Sequence, residues 1–244
     1  MPGVSIVIPT FNEANYLGRT LKQLHLLAPA AGEIIVVDGG SQDKTVEIAN
    51  AAGIKSIVSP NRGRAAQMNW GAEVATGEML CFVHADTLVP EDLVAIIQTV
   101  LGDRQVACGG FISVMEGGQT TRWGVVLNNF LKTYYAPLLF RPHLFFGKGL
   151  RVLFGDQVIF CRRDDFWSCG GFDTSLSICE DANLCLRLLD YGRIRLVNRI
   201  VRTSDRRVEK LGALRANAIY FYVGILWGLG ISADYLKRFY QDIR

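Results

Sequence analysis

Val4-Ser5-Ile6-Val7-Ile8-Pro9-Thr10-Phe11-Asn12-Glu13 is the stretch whose reading decides the fold. Its first half is a near-continuous apolar run, the pattern of a strand buried on both faces. Pro9 bounds it and polar residues follow. Leu17, Leu21, Leu24 and Ala28 then recur at helical spacing. Downstream the two periods alternate. Residues 34–37, 57–58, 79–83 and 107–114 predict strands. Val46 with Ala49, then Ala65, Met68, Ala72 and Ala75, then Leu93, Ile97 and Val100 predict the helices between them. Apolar strands separated by helices imply a parallel sheet covered on both faces. Residues 1–114 therefore read as a doubly wound α/β unit, with its ligand expected at the C-terminal strand ends.

The composition agrees with one generous domain. The chain has 244 residues, half of them hydrophobic, and a mean hydropathy of +0.20. That excludes disorder and removes any need for disulfides or a structural metal. Twenty-six Lys and Arg against 23 Asp and Glu leave +3, too little charge to argue for nucleic acid. No two of the six cysteines have C-x-x-C spacing, so reduced structural thiols and a cytoplasmic location are expected. The first residues lack the pattern of a signal peptide, and the chain is expected to open directly with a strand.

The second half differs. Residues 117–155 contain no acid but carry Arg122, Lys132, Arg141, Lys148 and Arg151 among many aromatics. Residues 158–161 and 194–197 predict strands, and residues 182–189 a helix. Residues 216–233 carry no charge, a length at which a spanning helix becomes conceivable. Asn217 and Ser232 shorten that stretch, while Gly224 and Gly228 have G-x-x-x-G spacing. The favoured reading is a helix packed on the domain, on a twin subunit or in a membrane interface. Nothing marks a linker or an internal repeat.

The strand-end loops hold the polar residues. Asp38-Gly39-Gly40-Ser41 follows the second strand: Asp38 is placed to accept hydrogen bonds from a nucleoside, or the segment is an ordinary turn before a helix. His84-Ala85-Asp86 follows the fourth: Asp86 offers a divalent metal an oxygen ligand, or caps the next helix. Arg62 and Arg64 meet a phosphate at a helix start, or are simply solvated. Glu180-Asp181 supplies a catalytic base, or complements a helix dipole. Without G-x-G-x-x-G, a dinucleotide-dependent dehydrogenase loses its best signal.

The series S-I-V-I-P-T-F-N-E, V-V-D-G-G-S-Q-D-K-T, H-A-D and E-D-A-N-L-C-L-R-L resembles the family 2 glycosyltransferases. The resemblance spans roughly residues 3–210. It implies a GT-A fold over 1–210, with 1–114 as the nucleotide-binding half and 115–210 as the acceptor-side half, followed by a C-terminal apolar helical segment at 211–244. It assigns the nucleoside to Pro9, Thr10, Glu13 and Asp38, with Asn12, Gly40, Ser41, Arg64 and Ala85 completing the nucleotide site. Asp86 matches the last acid of a D-x-D motif and is expected to hold Mg²⁺ or Mn²⁺ on the diphosphate. Asp181, with Glu180 beside it, matches the general base. Asp156 and Gln157 fall where the fold approaches donor sugar or acceptor, and Arg206 or Arg207 by analogy clamps the diphosphate.

Two departures stand out. Gly39 replaces the second acid of the usual D-D-G-S, and His84 the first acid of D-x-D. The implied activity is inverting transfer from a nucleoside-diphosphate sugar to an acceptor hydroxyl. Residues 122–154 and 216–233 raise a lipid-linked acceptor and peripheral membrane contact as further expectations, and 216–233 also a homo-oligomer contact. The rival readings are a sugar nucleotidyltransferase and a non-catalytic nucleotide-binding or membrane-scaffold protein.

Overall fold

The computed structural model describes residues 3–117, 121–176 and 178–240. In chain order the strands are β1 (Val4–Thr10), β2 (Glu33–Asp38), β3 (Lys55–Val58), β4 (Met79–Phe82), β5 (Thr87–Leu88), β6 (Val106–Glu116), β7 (Phe160–Arg162) and β8 (Arg193–Ser204). They form one eight-stranded sheet in the order β3-β2-β1-β4-β7-β6-β8-β5. β3, β2, β1 and β4 run parallel, as do β6 and β8; β7 is antiparallel to β4 and β6, and β5 to β8. The sheet is thus mixed but mostly parallel.

Both faces of β1 are buried, as its apolar run requires. Ile6 and Ile8 join a core with Leu17 and Leu21 of α1 (Ala14–Leu24) and Leu93 and Ile97 of α4 (Leu93–Gly102). Val7 points the other way, into a core with Met68 and Ala72 of α3 (Arg64–Val74). Burying each such aliphatic side chain stabilises the fold by roughly 1.5–3 kcal/mol. Gly71 lets α3 sit close on the sheet: a Cβ there would lie 2.8 Å from Val37 and collide with Val7. That approach sets the N-terminal turn of α3 over the ends of β1 and β2. Because β2 lies on one side of β1 and β4 on the other, the strand order reverses at β1, where an open α/β sheet forms a crevice.

Several elements depart from the sequence expectation. β7 begins at Phe160, because Val158 takes a left-handed conformation (φ 53°) after a 3-10 turn at Gly155–Gln157. β8 runs on to Ser204, so Thr203 and Ser204 belong to the strand and not to a loop beyond it. Its arginines had masked its length. The aromatic basic region supplies α5 (Trp123–Phe140) and α6 (Pro142–Gly147). Short helices α2 (Thr45–Ala51), α7 (Arg163–Ser168), α8 (Glu180–Leu188) and α9 (Arg206–Leu211) complete the core of the fold.

Residues 216–233 are not one helix. α10 (Ala213–Gly228) ends before Gly230 (φ 85°), and α11 (Ala233–Tyr240) restarts beyond it. Among the described residues no helix is long and apolar enough to cross a membrane. The glycine pair faces the protein itself: Gly224 abuts the Lys132 stem, and a Cβ at Gly228 would collide with the Phe140 ring. None of the six cysteines forms a disulfide, and Cys81, Cys108, Cys161 and Cys185 are buried.

Candidate active site

Parallel pairing sets Thr10 beside Asp38, so the β1 and β2 loops begin level with each other. Asp38 is only 2% exposed, and its carboxylate accepts four hydrogen bonds. Oδ1 accepts from Thr10 Oγ1 (3.1 Å) and Ser41 Oγ (2.5 Å). Oδ2 accepts from the backbone N–H groups of Gly40 (2.9 Å) and Ser41 (2.7 Å). Those bonds fill the roughly four lone-pair positions of a carboxylate. The positive φ of Gly40 (93°) turns the chain so that both N–H groups face Asp38. Asn12 N donates to Ser41 Oγ and Gln42 N to Asn12 Oδ1, tying the two loops together. Pro9 pairs with Val37 one step inside the sheet.

Gln67, which sequence reasoning missed, closes this junction. Its Nε2 donates to Thr10 O (2.7 Å) and Val37 O (2.8 Å). The available signal was its position one helical turn after Arg64.

The third loop follows β4. Ala85 is buried, and its carbonyl accepts from Thr20 Oγ1 (2.7 Å). Asp86 lies 3.3 Å from Arg206 Nη2. The same guanidinium binds both oxygens of Glu13 (2.7 and 2.6 Å) and stacks 4.9 Å over the Tyr16 ring. Glu13 beside it holds the Arg206 guanidinium above its ordinary value. Arg206 is the first residue of α9, so Glu13 and Asp86 already share a cation delivered from the C-terminal half. Asp86 offers a carboxylate oxygen, the ligand type that Mg²⁺ and Mn²⁺ prefer, and diphosphate oxygens would have to complete such a shell. Among the described residues no group of three or more His, Cys, Asp and Glu is arranged to hold a metal unaided. The Arg207 side chain lies outside what the structure describes.

The fourth segment opens α8. Glu180 and Asp181 are 3% and 5% exposed and share Arg64, whose Nη2 lies 2.5 Å from Glu180 Oε1 and 3.2 Å from Asp181 Oδ2. Gly155 N donates to Asp181 Oδ2 (2.9 Å). Burial pushes the Asp181 carboxyl up to about 7; Arg64 works against the shift and Glu180 adds to it. Glu180 Oε2 is buried with no hydrogen-bond partner among the described residues. A Cβ at Gly155 would lie 2.7 Å from His84 Nε2 and 3.0 Å from Asp181 Oδ2. His84 and Asp181 therefore flank the same glycine, which joins the H-A-D loop to the α8 terminus.

Asp156 and Gln157 differ in accessibility. Gln157 is a brace: it accepts from Phe154 N (2.9 Å) and donates to Thr133 Oγ1 (3.3 Å). Asp156 is half-buried, 3.4 Å from Asn129 Nδ2. Lys132, from the basic aromatic stretch, is 7% exposed and sits 3.8 Å over the Phe154 ring. Burial pulls its ammonium below the ordinary lysine value, and Asp156 partly opposes this.

The model of the family described as Glycosyl transferase family 2 matches residues 5–168. A PGL/p-HBAD biosynthesis glycosyltransferase of Mycobacterium tuberculosis is 27% identical over 256 aligned positions, covering 100% of this chain and 86% of the relative. Among solved structures, glucosyl-3-phosphoglycerate synthase from Mycobacterium tuberculosis, in complex with Mn²⁺, UDP and phosphoglyceric acid, superposes with a TM-score of 0.65. It is 19% identical, over 94% of this chain and 79% of that one. The mannosyltransferase PcManGT from Pyrobaculum calidifontis, in complex with GDP-Man and Mn²⁺, also reaches 0.65 at 21% identity, over 91% of this chain and 62% of its own. At these identities the two structures establish the fold.

Proposed function

The chain belongs to glycosyl transferase family 2, and from that premise we propose inverting transfer of a sugar from a nucleoside diphosphate to an acceptor hydroxyl, with Asp181 as general base. One observation carries the reading. A carboxyl with its pKa near 7 lies at a helix start, against the same glycine as the H-A-D loop. A base tuned close to the working pH combines the required charge state with real proton affinity.

The β1 and β2 loops would receive the nucleoside, Asp38 acting indirectly by holding the backbone of Gly40 and Ser41 in shape. Asp86 would hold Mg²⁺ or Mn²⁺, which when bound supplies charge neutralisation to the departing diphosphate. Arg206 is poised to exchange Glu13 and Asp86 for diphosphate oxygens, since a guanidinium pairs bidentately with either. Arg64 keeps Glu180 and Asp181 from repelling each other and fixes the orientation of the base. Asp181 would take the acceptor proton as the acceptor oxygen attacks opposite the leaving group.

The test pairs turnover with binding. Asp181→Asn should abolish sugar transfer while leaving nucleoside-diphosphate affinity close to that of the parent. Turnover near the parental rate would remove Asp181 from the base role.

A further inference from the structure

We propose that Gln67 selects the nucleobase, accepting on Oε1 a hydrogen bond from the ring N–H of an oxo base such as uracil or guanine. The inference rests on the donor reading above and adds a specificity-determining residue to it.

The side-chain acceptors of three residues beside Gln67 are already committed: the Asp38 carboxylate accepts four bonds, Ser41 Oγ accepts from Asn12 N, and Asn12 Oδ1 from Gln42 N. Thr10 O accepts from both Gly39 N and Gln67 Nε2. Gly39 contributes no side chain where a second acid would have offered one. Above it lies the Gln67 amide: a Cβ at Gly39 would stand 3.1 Å from Nε2 and 3.3 Å from Oε1.

The orientation of that amide is settled by chemistry. Both Nε2 hydrogens go to main-chain carbonyls, Thr10 O and Val37 O. Reversing the amide would set its oxygen against two oxygens. Gly39 lies over the flat of the amide, with nothing of its own side chain to cover it, and among the described residues no hydrogen bond reaches Oε1. Gln67 is only 5% exposed. Among the described residues the buried side-chain polar atoms without a partner are Ser113 Oγ, Glu180 Oε2 and Arg187 Nη2; Gln67 Oε1 is not one of them and so keeps contact with solvent.

A fixed acceptor discriminates by what faces it. The ring N–H of uracil or a 6-oxopurine completes its bond. The corresponding ring nitrogen of cytosine or adenine is itself an acceptor, which opposes two lone pairs and leaves Oε1 unpaired on ligand binding. Leaving one such group unsatisfied weakens binding by about tenfold to a hundredfold.

The experiment is equilibrium binding of the intact chain, with Mn²⁺ present, to UDP and CDP, to IDP and ADP, and to inorganic pyrophosphate. Within the ring size that the site accepts, the oxo base should bind at least tenfold tighter: UDP over CDP, or IDP over ADP. Gln67→Met should bring that ratio to within about twofold of unity and leave pyrophosphate affinity unchanged. Gly39→Ala, whose methyl presses on the amide, is the milder variant should Gln67→Met fail to fold, and it should lower the ratio in the same direction. A parental ratio near unity, or a ratio unmoved by either folded variant, overturns the assignment and leaves Gln67 as a strand-end brace. If pyrophosphate binds but no nucleoside diphosphate binds better, the assignment fails alone. If neither binds, the donor reading falls and takes this assignment with it.

Discussion

Asp38 and Asp181 are both buried carboxylates near the ends of the same sheet, yet their surroundings treat them in opposite ways. Asp38 accepts four hydrogen bonds within its own loops. Asp181 has one backbone N–H and one guanidinium it must share with Glu180, and burial carries its carboxyl up to about 7. A carboxylate surrounded by donors holds backbone in shape. One that is desolvated and under-bonded keeps an appetite for a proton. Satisfaction, more than burial, separates the loop organiser from the candidate base.

The largest effect expected of any substitution follows from that contrast. Asp181→Asn should lower kcat by about 10²–10⁴, the usual worth of general-base assistance. Single-turnover kinetics with a matched sugar donor would measure it. A loss below tenfold would mean that the under-bonded carboxyl is not the base.

Asp38→Asn probes the other half. The amide turns an NH₂ toward donors that had faced oxygen, leaving buried N–H groups unpaired at about 1–3 kcal/mol each. Thermal unfolding should fall by several degrees, with about 2–4 °C expected per kcal/mol in a chain of this size. Asp181→Asn should not produce such a fall.

The pH dependence follows from the sign of the Asp181 shift. A raised folded pKa favours the protonated acid, so its contribution to stability is full below the unfolded value near ~4 and is lost as pH rises through about 7. The base must be ionised, so kcat/KM should drop as pH falls below about 7. Arg64 is the cation that restrains the shift, and Arg64→Gln should move this acid limb to higher pH. An unmoved limb in a pH–rate profile would assign it to another group.

Thr10→Val is the gentlest test. It deletes one of the four bonds to Asp38, at 3.1 Å, and should cost about 0.5–1.5 kcal/mol in a denaturant titration. A cost near that of Asp38→Asn would show the network to be cooperative.

Legibility from the sequence follows local physics. The run from Val4 to Ile8 has to be buried on both faces, and β1, β2, β4 and β6 were legible for that reason. β8 was legible only in part, because Arg193, Arg195, Arg199 and Arg202 interrupt the apolar pattern of a strand that runs to Ser204. The uncharged stretch 216–233 suggested one long helix, but Gly230 breaks it and Gly224 and Gly228 pack on α5. The candidate site divides in the same way. The carboxylates Asp38, Asp86, Glu180 and Asp181 were legible because acids closing apolar strands or opening helices stand out locally. Gln67 was not, since a glutamine on a helix ordinarily reads as a solvated face.

The sequence by itself determined the class of fold, the strand ends where chemistry gathers and the acids placed there, because periodicity and loop polarity are local properties. Only the tertiary structure decided which neighbours each acid has. Arg206 reaches Glu13 across 193 positions and Arg64 reaches Asp181 across 117. Hydrogen-bond satisfaction and desolvation, which distinguish Asp38 from Asp181, depend on neighbours that only folding brings within a few ångströms.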